Sequence, residues 1–135
     1  MDIYNDYENF IKNHPWQQIN VEGNLINYRH FGKGEKTILL LLGGSMFSAD
    51  AYFLMIEGLK DDYQLIMIDY PKDKQTILSL IQTVSEVTLN LNIPKVYVFG
   101  MNYGGGIAQA YAKHYKNQVD GLILYNTLTK SEQMT

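Results

Sequence analysis

An α/β architecture is what the 135-residue sequence predicts, on three observations. Four short apolar runs recur along the chain: Thr37–Leu42, Leu65–Ile68, Val96–Phe99 and Leu122–Tyr125. Each is near-continuously apolar rather than alternating, as strands buried on both faces of a parallel sheet read. Between them lie segments of helical period, and strand–helix alternation of this kind builds βαβ units. The part before Thr37 reads differently, as a short helix followed by an antiparallel hairpin. The expected architecture is therefore a hairpin followed by about four parallel strands with helices on both faces.

In chain order, Tyr4–Asn13 is expected as a helix stopped by His14-Pro15. Gln18–Val21 and Leu25–Phe31 flank Glu22-Gly23-Asn24, a turn composition suited to a hairpin. Gly32-Lys33-Gly34-Glu35 marks a second turn, into the first buried strand. The next helix is expected to open at Ser48, whose hydroxyl can cap free backbone N–H groups, with Met55, Ile56 and Leu59 facing inward. A second, over Asp73–Leu91, carries Ile77, Leu80, Ile81, Val84, Val87 and Leu91 at steps of three and four, one amphipathic face. A third, from Tyr103 to Tyr115, carries Ile107, Ala108, Tyr111 and Ala112. No internal repeat or linker divides the chain, so residues 1–135 read as a single domain.

Composition narrows the function classes. With 46% hydrophobic and 19% charged residues, the chain can bury a core. A formal net charge of −3 gives no electrostatic reason to bind nucleic acid. The longest apolar run, Ile38–Leu42, is far short of the ~20 residues of a membrane span. The start Met1-Asp2-Ile3-Tyr4-Asn5-Asp6 lacks the basic and apolar regions of a signal peptide, so a cytoplasmic location is expected. Cysteine is absent, which removes disulfides and thiolate chemistry. The three histidines have no metal-ligand spacing, and no phosphate-loop pattern follows the first buried strand. Neither metal nor cofactor is expected.

The stretch richest in chemistry is Val96-Tyr97-Val98-Phe99-Gly100-Met101-Asn102-Tyr103-Gly104-Gly105-Gly106. An apolar strand runs into a Gly-x-x-x-Gly turn and directly out into a helix. Such a turn drives its central residue toward positive φ, and the glycines at Gly100 and Gly104 let strand and helix approach. This resembles the nucleophile elbow of the α/β-hydrolase superfamily. The hairpin, the strand ending Leu41-Leu42-Gly43-Gly44-Ser45, the strand ending Ile68-Asp69-Tyr70-Pro71 and the elbow all follow that family's order. The resemblance spans residues 18 to 127, the N-terminal half of a usual hydrolase. It implies that Gly43-Gly44-Ser45-Met46 forms the oxyanion loop, with backbone N–H groups of Gly44, Ser45 and Tyr103 converging on a substrate oxygen.

Two departures from the family pattern decide the functional expectation. The elbow normally reads Gly-x-Ser-x-Gly, and here the nucleophile position holds Asn102. A delocalised amide cannot be activated as a hydroxyl can, yet Asn tolerates positive φ, so the turn survives without its chemistry. The family's acid and histidine also follow the elbow, whereas no histidine follows His114, and Asp120 and Glu132 are the later carboxylates up to Thr135. His114 lies down the elbow's own helix, about 18 Å away at ~1.5 Å per residue. His14 and His30 precede the sheet's first buried strand and match no catalytic position. Ser45 has no evident base, Ser48 reads as a cap, and Asp69 as a turn residue at a strand end.

The expectation is an α/β-hydrolase family member with a degenerate site, a pseudoenzyme that binds a small molecule or acts as a scaffold. The competing expectation is the N-terminal portion of an ester- or lipid-cleaving hydrolase whose acid and histidine lie beyond Thr135. With no later strand in the sequence, Leu122-Ile123-Leu124-Tyr125 is expected as an exposed apolar edge, open to a second copy or a partner strand.

Overall fold

A computed structural model of the chain describes residues 2–41, 53–69, 76–101 and 103–125. Its helices are α1 (Ile3–Asn13), α2 (Phe53–Leu59), α3 (Ile77–Asn90) and α4 (Tyr103–His114). Its strands are β1 (Gln17–Val21), β2 (Asn24–Gly32), β3 (Thr37–Leu41), β4 (Gln64–Ile68), β5 (Val96–Met101) and β6 (Val119–Tyr125). A turn of 3₁₀-helix, Lys116–Gln118, joins α4 to β6.

The chain starts with a capped helix. The Asp2 side chain accepts from the Asn5 N–H at 3.2 Å, satisfying one of the donors a helix start leaves free. Pro15 follows the last turn and cannot continue it. The hairpin then turns on two residues, because Val21 pairs directly with Asn24. Glu22 and Gly23 both take positive φ, 51° and 86°, the geometry of a type I′ turn, which matches the twist of the flanking strands. Asn24 therefore belongs to the strand, not to the three-residue turn its composition suggested.

The six strands form one sheet in the order β1-β2-β4-β3-β5-β6. β2 lies antiparallel to both β1 and β4, while β4, β3, β5 and β6 run parallel. This is the expected hairpin followed by four parallel strands. Both faces are covered, which is why the strands read as continuous apolar runs. On one face Leu39, Leu41, Ile66, Val96 and Val98 pack with Leu80, Ile81, Val84 and Val87 of α3 and Ile107, Ala108 and Tyr111 of α4. On the other, Ile38, Leu40, Leu65, Met67 and Met101 pack with Phe10 of α1 and Phe53 and Ile56 of α2.

Element boundaries differ from expectation where a local contact decides them. α3 starts at Ile77 rather than Asp73, because Thr76 is extended and its hydroxyl accepts from the Ser79 N–H at 3.1 Å. In α2, Phe53 and Ile56 are buried while Met55 and Leu59 are only partly so; Ser48 lies outside the described residues. β6 starts at Val119, earlier than its apolar run. Backbone pairing of Val119 with Val96 and Gly121 with Tyr97, across a register shift, extends it through Asp120 and Gly121.

Polar groups tie α1 to the rest. Arg29, fully buried on β2, donates from Nε to the His14 carbonyl at 2.6 Å and lays its guanidinium 3.7 Å over the Trp16 ring. The His14 ring stacks on Phe31 at 3.9 Å and its Nε2 lies 3.0 Å from Glu57 Oε1, while Lys60 Nζ lies 2.6 Å from Glu57 Oε2. Burial pushes the Glu57 carboxyl upward, but the Lys60 hydrogen bond and charge, joined by His14, outweigh it and hold the carboxyl below its ordinary 4.5. A lowered folded value means a stabilising contribution that is full above the unfolded pKa and lost as pH falls through the folded one. Glu57→Gln is therefore expected to lower stability at neutral pH and to flatten its decline below pH 4.5. Urea melts of both proteins across the acid range check this; parallel acid limbs would refute it.

Candidate active site

β3, β4 and β5 run parallel, so Leu41, Ile68 and Met101 end at one edge of the sheet. Ligands of open parallel sheets bind outside the carboxyl ends of the strands. β3 and β5 are direct neighbours, with Leu41 opposite Gly100. The carboxyl ends of β3 and β5, at Leu41 and Met101, therefore lie side by side. Asn102 and Gly43 to Met46, with Ser48, lie outside the described residues.

One residue separates β5 from α4. That short connection requires the strand and the helix start to pack backbone on backbone, and Gly100 sits at the contact. A Cβ placed there would lie 2.5 Å from the Ala108 Cβ and 2.8 Å from both the Gly104 carbonyl oxygen and the Gly105 Cα. Gly104, Gly105 and Gly106 are themselves buried. Tyr103 opens the helix and is 50% exposed. The first N–H groups of an α-helix have no intrahelical acceptor and carry its positive end, so Tyr103 presents its backbone at the strand ends that Leu41 and Met101 mark.

The remaining candidates fall elsewhere. Asp69, exposed just past β4, donates its backbone N–H to the Asn27 carbonyl at 2.9 Å. His114 closes α4 at the end opposite Tyr103, about 16 Å away at ~1.5 Å per residue. His30 lies 3.0 Å from the side chain of Gln64, the first residue of β4, toward the amino ends of the parallel strands. His14 is held between Glu57 and Phe31. Sequence reasoning gave no hint of these histidine hydrogen bonds, since Glu57 and Gln64 lie 43 and 34 residues along the chain from His14 and His30. Among the described residues, no three His, Asp or Glu side chains gather as a metal ion would need, and no helix is long and apolar enough to cross a membrane.

No protein-family model matches the sequence, and no curated protein matches it. Solved structures do. A meta-cleavage product hydrolase from Pseudomonas fluorescens matches at 29% identity and TM-score 0.72, over 82% of this chain and 44% of that one. A bacterial membrane phospholipase A matches at 18% identity and TM-score 0.80, over 93% of this chain and 43% of that one. An epoxide hydrolase matches at 21% identity and TM-score 0.73, over 85% and 43%. The last two speak for the fold alone, and the chain spans less than half the length of all three. With this strand order, the close strand–helix packing at Gly100 and the match at 29% identity, the chain belongs to the α/β-hydrolase superfamily.

Proposed function

We propose that this chain is a degenerate α/β-hydrolase that binds a small molecule at the carboxyl ends of β3 and β5 and does not cleave it. The observation that carries this reading is Asn102, which occupies the position between β5 and α4 where the superfamily's elbow holds its nucleophile. Gly100 and Gly104 permit the turn, and backbone N–H groups of Gly44, Ser45 and Tyr103 supply donors for a ligand oxygen. Such donors need no particular side chain and outlast the loss of a nucleophile. The site works in the cytoplasm, without metal or cofactor, and the outer edge of β6 (Leu122, Ile123, Leu124, Tyr125) serves association with a second copy or a partner strand.

The second reading, supported by the match to less than half of each hydrolase, is an N-terminal portion of an ester- or lipid-cleaving enzyme whose acid and histidine lie beyond Thr135. Asn102→Ser separates the two. With a hydroxyl restored but no base to activate it, the variant is expected to hydrolyse short-chain nitrophenyl esters no faster than the parent chain. Turnover about 100-fold above the parent, within the ~10²–10⁴ that a positioned general base contributes, would overturn the binding reading and favour the enzyme.

A further inference from the structure

A small hollow lies at the β1 edge of the sheet, the edge opposite β6. The pairing of β1 with β2 ends where Gln17 meets Tyr28, whereas β2 continues along β4 to Gly32. Beyond Tyr28 the outer edge of β2 faces the connection between α1 and β1. The hollow, about 130 Å³, forms there, with Asn13, His14 and Gln17 on one side and Arg29, His30 and Phe31 on the other. Successive side chains of a strand point to opposite faces, and at an edge both can reach one hollow. Every residue lining it falls between Asn13 and Phe31.

We propose that this hollow binds inorganic phosphate, at a site independent of Asn102. The positive charge comes from the Arg29 guanidinium, which is fully buried and fixed in place. Its Nε donates to the His14 carbonyl at 2.6 Å, and it lies 3.7 Å over the Trp16 ring. The same bond takes up a carbonyl just past α1, at the helix end whose dipole would otherwise repel an anion. No aspartate or glutamate is among the described residues that line the hollow. Glu57, the carboxylate that His14 touches, is held by Lys60 at 2.6 Å. The volume is well below the ~300–1,000 Å³ of sites for larger molecules. The choice among small oxyanions follows from His30. Gln64 donates from Nε2 to the Gly34 carbonyl at 2.9 Å, which turns its Oε1 to His30 Nε2, 3.0 Å away. His30 Nε2 therefore donates, and Nδ1 is left as an acceptor. An oxyanion that meets a cation and an acceptor needs both a negative oxygen and an O–H. Inorganic phosphate has both at neutral pH. Sulfate has no proton, and a phosphate monoester, with a second pKa of about 6, has mostly lost its own.

Trp16 is the chain's only tryptophan and reports on the guanidinium stacked over it. In titrations at neutral pH and chloride-matched ionic strength, inorganic phosphate is expected to change its emission saturably. Sulfate and methyl phosphate are expected to bind about tenfold or more weakly, the factor that one hydrogen bond to a charged group supplies. Phosphate is also expected to raise the urea midpoint over the same concentration range, since it binds the folded chain. His30→Gln keeps a donor for Gln64, because the new amide nitrogen takes the place of Nε2, and removes the acceptor at Nδ1. That variant is expected to bind phosphate about tenfold more weakly and to level the three anions, with an unchanged circular dichroism spectrum. A phosphate response that does not saturate, equal affinity for the three anions in the parent chain, or full phosphate preference kept in His30→Gln would each overturn the proposal. The first two outcomes are read on the parent chain alone, so they hold whether or not the variant folds. None of these results bears on the Asn102→Ser assay.

Discussion

Gly100→Ala is expected to destabilise the chain by about 3 kcal/mol, the upper part of the range for forcing a methyl group into a filled interior. The added carbon has nowhere to go. Two of its three nearest neighbours are backbone atoms of Gly104 and Gly105, at 2.8 Å, and backbone cannot rotate away as a side chain can. The third, the Ala108 Cβ at 2.5 Å, can be removed, so Ala108→Gly in the same chain should recover part of the loss and not all of it. The rest requires α4 to move off β5, which displaces Tyr103 from the strand ends. Gly58→Ala is the matched control. Nothing lies within 4 Å of a Cβ there, and Gly58 sits inside α2, so the change should be neutral or stabilise by up to ~1 kcal/mol. Urea midpoints of the four proteins measure all of this. Equal midpoints for Gly100→Ala and Gly58→Ala would show that β5 and α4 are not in backbone contact.

Leu39→Ala is expected to cost 2–5 kcal/mol, the range for emptying a leucine site in a packed core. Leu39 is fully buried at the centre of the sheet, paired with Ile66 on one side and Val98 on the other. Helices α3 and α4 cover it, and both would have to shift to fill the space. Leu25→Ala, at a position 65% exposed on β2, is expected to fall within ~0.5 kcal/mol of the parent, as surface changes do. Thermal and urea melts compare the pair. A loss below ~1 kcal/mol for Leu39→Ala would mean that this layer of the core is looser than its burial indicates.

How much of this was legible follows from how each feature is encoded. The central strands were readable because Ile38 and Leu40 serve one face of the sheet and Leu39 and Leu41 the other, which forces an unbroken apolar run. α3 was readable because one face packs on the sheet and the other meets water. What escaped depends on partners distant in sequence or on backbone geometry. The first three residues of β6 are Val, Asp and Gly, which carry no strand pattern; their pairing with β5 makes them a strand. The turn at Glu22-Gly23 is one residue shorter than its composition suggests, since Asn24 is paired with Val21. The close approach of β5 and α4 was legible through the glycine spacing, and Gly100 stands where such a glycine is needed. The chemistry at Asn102, Gly44 and Ser45 rests on the resemblance, since those residues lie outside the described ones.

The strand order also sets a timetable for folding. β1 and β2 meet through a two-residue turn, a contact that forms within about 1–10 μs once both strands exist. β3 lies between β4 and β5, both of which come later in the chain. Its outer ladder, joining Leu41 to Gly100, waits for everything between them to be made, and such long-range pairings are the slow steps of a fold. During synthesis Ile38-Leu39-Leu40-Leu41 is thus complete long before either neighbour can cover it. Apolar strands left unpaired in this way are where partly made chains adhere to one another. The segment that later anchors the centre of the sheet is the one most in need of shielding while the chain is being built.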